Sequence, residues 1–146
     1  MLIKEWNKED YLLSTDKSKL QMDVIHQFLS NSYWAKNIPL ALIEKTIAGS
    51  LCFGMYNNQR QIGFARVITD SATFAYLADV FILEEYRGKK LSIWMMECIM
   101  NYEKLQGLRR WMLATSDAHG LYKKFGFTAL DEPDKMMQKK INNPYK

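Results

Sequence analysis

The sequence predicts a mixed α/β fold, with a central sheet of about six to seven strands and helices on both faces. Strand-forming segments follow one another between residues 50 and 83. The last of them, Phe74 to Leu83, is apolar on both faces, which is typical of a central strand covered by helices on each side. A long amphipathic segment and a second short apolar segment come next, so we expect a helical crossover in the middle of the chain.

Composition excludes several classes of protein. The chain has 146 residues, a formal net charge of +4, 48% hydrophobic and 25% charged residues. Intrinsic disorder and low-complexity structure do not fit these values. We expect one domain over residues 1–146, because a chain of this length buries a sufficient core. No segment has the length of a membrane span or the pattern of a signal peptide.

The two cysteines, Cys52 and Cys98, lie in apolar segments without the spacing of a disulfide scaffold or a metal site. This usage is typical of a reducing compartment, so we expect a cytoplasmic protein without a bound metal.

The chain up to Gly49 is predicted to contain one strand and two helices. The first strand runs from Tyr11 to Thr15. Ser18 and Gln21 have the spacing of a capping box at the start of the first helix. The second helix begins after Pro39 and ends at Gly49, since proline suits the first helical turn and glycine the end.

Five more strands and two more helices are predicted in the rest of the chain. Residues 50–56 and 61–69 flank a polar turn and predict a β-hairpin. Residues 89–106 show helical spacing of apolar side chains, and residues 111–114 predict a short buried strand. Asp117 to Phe125 predicts a short helix with Asp117 as its cap. Two last short strands are expected at residues 127–130 and 136–140, followed by a frayed tail over residues 141–146.

The most informative segment is Val80 to Ser92, VFILEEYRGKKLS, a buried strand followed by a polar turn and a helix start. Unpaired N–H groups and the positive end of the helix dipole favour anions there. Arg87, Lys89 and Lys90 add three positive charges. A phosphate site and an ordinary solvated basic turn explain this pattern about equally well.

A second segment, DAHGLYKKFGF from Asp117 to Phe127, places a tyrosine on a short helix that a glycine ends. Taken with the first segment, it resembles the GNAT superfamily of N-acetyltransferases. Tyr86 to Ser92 is similar to the family's [Q/R]-x-x-G-x-[G/A] turn, and Leu121 to Phe127 to its L-Y-x-x-x-G-F segment. The resemblance covers roughly residues 11 to 141. The family usually has glycine where this chain has Lys90, and glycine or alanine where it has Ser92.

The resemblance implies that acetyl-CoA is the co-substrate and a primary amine the acceptor. The strand backbone would pair with the pantetheine arm, the turn would hold the pyrophosphate, and Tyr122 would protonate the leaving thiolate as general acid. The residues so assigned to the cofactor are Phe81, Ile82, Leu83, Arg87, Gly88, Lys89, Lys90, Leu91, Ser92, Asp117 and Tyr122.

Asp79 is the one carboxylate inside the predicted central strand. It is a candidate general base, and an anchoring or amine-binding function is an equal alternative. The acceptor site in this family is built by the first two helices and the neighbouring strands. We therefore expect Tyr33, Trp34, Phe64 and Arg66 at the acceptor. Arg66 is expected to share a strand face with Ile62, Phe64 and Ile68, and to pair with Asp79, Asp70 or a substrate carboxylate.

Three functional hypotheses follow. The first is an acetyl-CoA-dependent N-acetyltransferase acting on a small-molecule or peptide amine, with a homodimer permitted. The second is an acyl-CoA-binding or regulatory module without catalysis, which the residues at Lys90 and Ser92 motivate. The third is a small basic nucleic-acid-binding domain, which the mild charge favours least. We expect neither a nucleic-acid nor a membrane partner.

Overall fold

A computed structural model describes residues 2–145; Met1 and Lys146, the ends of the predicted domain and tail, lie outside the described residues. Six strands and four α-helices make up this part of the chain. The strands are β1 (Glu5–Lys8), β2 (Tyr11–Ser14), β3 (Leu51–Asn57), β4 (Arg60–Thr69), β5 (Phe74–Ile82) and β6 (Arg110–Leu113). The helices are α1 (Met22–Ser30), α2 (Leu40–Ala48), α3 (Leu91–Met100) and α4 (His119–Lys123).

The six strands form one sheet in the order β1-β2-β3-β4-β5-β6. The first five are antiparallel neighbours, and β6 lies parallel to β5. A parallel neighbour requires a crossover connection, which α3 provides. The predicted mixed α/β class is thus confirmed, with six strands in the described chain.

The sheet separates two apolar cores. On one face, Phe53, Val67 and Leu77 pack with Met95 and Ile99 of α3. The opposite core contains buried side chains from α1, α2, β3, β4 and β5, including Ile25, Leu29, Ile43, Cys52, Phe64 and Phe81. The alternation of side chains along β3 and β4 supplies both cores, which is the period-two pattern of a sheet covered on both sides.

The predicted hairpin is confirmed as β3 and β4. Its turn residues Asn58 and Gln59 both have positive φ values, 49° and 72°, as a two-residue turn between twisted strands requires. A bulge shifts the β3–β4 register between Met55 and Tyr56. The extra residue in β4 turns Ile62 toward the α3 core, whereas Phe64 lies in the other core. The prediction that Ile62 shares a face with Arg66 is therefore wrong.

The long helix is shorter than predicted. α3 ends at Met100 instead of Gln106, and a 3₁₀ turn, Glu103–Leu105, follows. The Glu97 carbonyl accepts both the backbone N–H of Asn101, at 3.1 Å, and its side-chain Nδ2, at 2.9 Å, at the helix end. The apolar spacing continues past this point because Tyr102 and Leu105 still pack in the core.

The capping box at Ser18 and Gln21 is also wrong. The backbone N–H of Ser18 donates to Asp16 Oδ1 at 3.0 Å, at the start of a 3₁₀ turn, Lys17–Lys19. α1 begins after Gln21, whose N–H donates to Oε1 of the buried Gln61 at 2.7 Å. This bond ties the start of α1 to β4, a long-range contact that local spacing does not reveal.

Strand β1 was not predicted, since its sequence EWNK is polar. Pairing with β2 and the contact of Trp6 with Phe53, whose ring centroids lie 6.1 Å apart, hold it in the sheet. The two strands predicted at residues 127–130 and 136–140 are absent from the described chain. Phe127 instead donates its N–H back to the carbonyl of Tyr122 at 3.3 Å, which ties this segment to α4 and not to the edge of β6.

The tail is not simply frayed. Residues 128–144 are exposed, but Tyr145 is half-buried and packs against the core formed by α1 and α2. Within residues 2–145 no helix combines the length and apolar character needed to cross a bilayer.

The β4–β5 turn makes a pH-dependent contribution to stability. The Asp70 carboxylate accepts the N–H groups of Ala72, Thr73 and Phe74 and the Thr73 hydroxyl, and these bonds lower the pKa of Asp70. A lowered folded-state pKa stabilises the fold above the unfolded value, about 4, and the effect is lost as the pH falls below it. Asp70→Asn should therefore lower Tm most at neutral pH, and the difference from wild type should shrink on acidification. Thermal melts across pH test this, with the exposed Asp10→Asn as control; a pH-independent difference would contradict it.

Candidate active site

The site begins where β5 and β6 separate. Their pairing runs from Phe74 with Arg110 to Leu77 with Leu113 and then stops. The β4–β5 register also shifts here: Phe64 pairs with Phe81 but Arg66 pairs with Ala78, so β5 carries an extra residue. Such a bulge bends and twists its strand. A cavity of about 560 Å³ lies at the gap, lined by residues of β4, β5, α4 and the chain that follows β6.

Asp79 forms this bulge. Its φ is +55°, in the left-handed region, which aspartate tolerates better than most residues. Its Oδ2 accepts from Arg66 Nε at 2.8 Å and its Oδ1 from Trp34 Nε1 at 2.9 Å. Arg66 NH1 also donates to the Ser50 hydroxyl at 3.0 Å. Of the three partners predicted for Arg66, the structure has Asp79. Both carboxylate oxygens are already engaged, which favours the anchoring function over that of a general base.

The loop between α1 and α2 closes one side of the gap. Tyr33 and Trp34 are 63% and 42% exposed and meet edge to face, with ring centroids 5.0 Å apart. The Tyr33 hydroxyl accepts the backbone N–H of Ser116 at 3.2 Å. The loop therefore bridges to the connection between β6 and α4, and Trp34 is not buried in the core.

A second cavity, of about 680 Å³, lies on the other side of these two aromatic residues. Its walls include Phe28, Leu83 and Arg87. Tyr33, Trp34 and Asp117 line both cavities. The two spaces therefore meet at these three side chains.

The turn into α3 contains two residues in the left-handed backbone region. Gly88 and Lys90 have positive φ values of 80° and 62°. Lys90 is the N-cap of α3 and makes no side-chain cap bond. A helix start of this kind leaves N–H groups free for an anionic ligand. The side chains of Arg87, Lys89 and Lys90 are exposed around it.

The residues predicted to face the pantetheine arm differ in their surroundings. Phe81 is buried and stacks on Phe28, with ring centroids 4.1 Å apart. The N–H of Leu83 donates to the carbonyl of Ile62 at 2.8 Å, so Leu83 is bonded to the β4 side. Backbone bonding directions alternate along a strand, so Ile82 faces the other way. Its carbonyl accepts from Arg87 Nε at 3.0 Å, which agrees with this direction.

Tyr122 lies on α4 at the wall of the 560 Å³ cavity and of a neighbouring cavity of about 470 Å³. It is 8% exposed. Burial raises the pKa of Tyr122 to about 12, with smaller contributions from Tyr33 and Asp117. The hydroxyl is therefore protonated at neutral pH, as a general acid must be.

Asp117 does not cap α4, contrary to the prediction. The N-cap position belongs to Ala118, and the Thr115 hydroxyl accepts the Ala118 N–H at 3.0 Å. The Asp117 side chain is exposed at the meeting point of the two cavities.

Comparison with known proteins agrees with this geometry. A family model described as an acetyltransferase (GNAT) domain matches residues 48–129, more than half of the chain. The chain belongs to the GNAT acetyltransferase family. A candidate acetyltransferase from Gibberella zeae is 38% identical, covering 82% of this chain and 79% of that protein. The crystal structure of a candidate GNAT acetyltransferase from Xanthomonas campestris pv. campestris is 51% identical, with a TM-score of 0.90 over 92% of this chain and 96% of that one.

A GNAT acetyltransferase from Elizabethkingia anophelis, solved with acetyl-CoA bound, shares the fold. Its TM-score is 0.65 at 13% identity, over 85% of this chain and 80% of its own. The predicted resemblance to the GNAT family is thus confirmed, and the predicted use of acetyl-CoA agrees with what this relative binds.

In this GNAT chain six of the sixteen predicted site residues line the 560 Å³ cavity, and two more, Leu83 and Arg87, line the 680 Å³ cavity. Tyr33, Trp34, Arg66, Asp79, Asp117 and Tyr122 line the 560 Å³ cavity. Phe64 does not reach it: this side chain is 1% exposed and lies in the core beside Phe81. Sequence reasoning missed Tyr145 and Ser116, which line the same cavity. Neither stands in a pattern that signals its position.

The Arg66–Asp79 pair should matter strongly for stability. Their side chains are only 14% and 11% exposed. Arg66→Met leaves a nearly buried carboxylate without its cation, so we expect the free energy of unfolding to fall by about 3 kcal/mol. Arg66→Met combined with Asp79→Asn should recover much of this loss, because asparagine also accepts the left-handed conformation. Urea unfolding of the two single variants and the double variant measures these free energies. If the loss in the double variant equals the sum of the two single losses, the two side chains are not coupled and the prediction is contradicted.

Proposed function

We propose that the chain is a single acetyltransferase domain that moves an acetyl group from acetyl-CoA to a primary amine by direct attack. The observation that carries the proposal is the gap between β5 and β6, opened by the bulge at Asp79. Tyr122 lies at its wall, and the turn residue Arg87 lines the adjoining 680 Å³ cavity. Membership of the GNAT family supports the same assignment.

The donor is assigned to the turn and the gap. Free N–H groups at the start of α3, with Arg87, Lys89 and Lys90 around them, suit a pyrophosphate. Ile82 presents its backbone away from β4, so it can pair with an extended amide-containing arm. The bonded position of Arg87 at the Ile82 carbonyl means that this side chain moves when the arm is bound.

The reaction needs a proton donor for the leaving thiolate and a hydrogen-bond donor that stabilises the oxyanion. An acceptor that enters as an ammonium first loses one proton to solvent. The neutral amine nitrogen then attacks the thioester carbonyl, a C–N bond forms, and the C–S bond breaks. Tyr122 gives its proton to the departing thiolate and regains one through solvent as the amine nitrogen loses a proton. A backbone N–H at the strand gap stabilises the oxyanion. Asp79 serves as a positioning residue that holds Arg66 and Trp34.

Calorimetry with acetyl-CoA tests the donor site. We expect micromolar binding by the wild type and equal or tighter binding by Lys90→Gly, because glycine adopts positive φ without the cost of a side chain. Lys90→Ala is the matched control, since it removes the same charge and keeps a Cβ. Binding by Lys90→Gly alone would mean that the donor site of the natural chain has degenerated, and binding by none of the proteins would contradict the donor assignment.

Tyr122→Phe tests the general acid. Loss of the proton donor should lower kcat by about a hundredfold or more, with acetyl-CoA affinity retained. The assay is thiol release on an amine panel, and Tyr102→Phe, in the α3 core, is the control. Because the pKa of Tyr122 is raised to about 12, its acid form persists and kcat should not fall through this group below about pH 11. Full activity of Tyr122→Phe across pH would refute this function.

A further inference from the structure

We propose that Asp117, together with Tyr33 and Trp34, holds the positively charged amino group of the acceptor, and that the acceptor is a small primary amine with an apolar body. This inference rests on the proposed acetyl transfer and deepens it by naming the class of acceptor. It also moves the amine-binding function from Asp79 to Asp117, and it removes Asp117 from the residues that the family resemblance assigned to the cofactor.

The position of Asp117 supports this assignment. Tyr33, Trp34 and Asp117 are the lining residues that the two cavities share. Arg87, a candidate contact of the pyrophosphate, lines only the larger cavity, and Tyr122 lines only the smaller of the two. An amino group held at Asp117 therefore lies where the two cavities meet, between the cavity that Arg87 lines and the cavity that Tyr122 lines.

The charges favour a cation at this point. Arg66 and Asp79 compensate each other through their 2.8 Å ion pair, and Arg60 in the larger cavity pairs with Glu85 at 3.1 Å. No hydrogen bond or ion pair joins the Asp117 carboxylate to a residue among 2–145; only its backbone N–H is bonded, to Thr115. The carboxylate is near enough to Tyr122 to contribute to the raised pKa of that phenol. An ammonium at Asp117 would lie beside the proposed acid.

The aromatic pair supplies the second contact. Tyr33 and Trp34 are large, exposed and arranged edge to face. An aromatic face attracts an ammonium group. Trp34 cannot turn freely, because its indole N–H is bonded to Asp79. This bond holds the ring in position beside the cavity.

The rest of the cavity suits an apolar body of limited size. Ile38, Tyr76 and Val80 contribute to its walls. Tyr145, the one residue among 128–145 that is not exposed, lines the same space from the tail. With a volume of about 560 Å³, the cavity fits a small molecule better than a folded protein surface.

Calorimetry with a matched pair of probes tests the inference. Benzylamine and benzyl alcohol differ chiefly in charge, and saturating CoA replaces acetyl-CoA so that no turnover occurs. The variants are Asp117→Asn, which keeps the shape and removes the charge, and Asp134→Asn as a control that lines neither cavity. CoA affinity is measured for each protein.

We expect the wild type to bind benzylamine more tightly than benzyl alcohol. Asp117→Asn should weaken benzylamine binding by roughly two- to fivefold, the size of one exposed ion pair, because Asp117 is exposed. It should leave benzyl alcohol and CoA unchanged, and Asp134→Asn should change nothing. Equal binding of the two probes by the wild type, no binding of either, or an unchanged preference in Asp117→Asn would overturn the inference. If the wild type prefers benzylamine but does not bind CoA, the proposed acetyl transfer is overturned and the inference about Asp117 is not.

Discussion

The ion pair between Arg66 and Asp79 holds together the feature on which the whole site depends. Asp79 occupies a left-handed conformation in the middle of a strand, which costs on the order of 1–3 kcal/mol. Its two bonds, to Arg66 and to Trp34, offset that cost. The resulting bulge shifts the pairing of β5 with β4, just beyond the point where the pairing of β5 with β6 stops and the gap begins.

Charge is arranged in order along this gap. The turn into α3 is basic and suits the anionic end of the donor. Asp117 adds a single carboxylate where the two cavities meet. Farther into the smaller cavity, Arg66 and Asp79 compensate each other and add no net charge. The basic turn and Asp117 thus favour groups of opposite charge, an anionic group at the turn and a cationic group at Asp117.

The fold was largely predictable because its central segments have strong local patterns. The β3–β4 hairpin, the two-sided strand β5 and the crossover helix all follow from periodicity and turn residues. The bond between Gln21 and Gln61 joins residues 40 positions apart, so local spacing does not reveal it. β1 has a polar sequence, and α3 ends inside an apolar pattern that continues to Leu105, so in both places the local pattern misleads. The prediction of two C-terminal strands was wrong. A strand also needs a neighbouring strand edge to pair with, and in the described chain these segments pair with none.

The site was predictable to a lesser degree. Tyr122 and the turn at Arg87 stand in motifs, so resemblance located them. Arg66 and Asp79 were visible as charges within apolar strands, but the bulge that turns Ile62 away from Arg66 was not. Asp117 has the sequence position of a cap, and only the Thr115 bond to Ala118 shows that the cap is elsewhere. Tyr145 carries no local signal at all.

The bond between the Trp34 indole and Asp79 also gives the molecule an optical property. Of the four tryptophans, Trp34 is the one that lines the two cavities of the proposed reaction site. Indole emission depends on the polarity around the ring. Occupation of either cavity should change that polarity, so the intrinsic fluorescence of the unlabelled protein is expected to report whether the proposed site is filled.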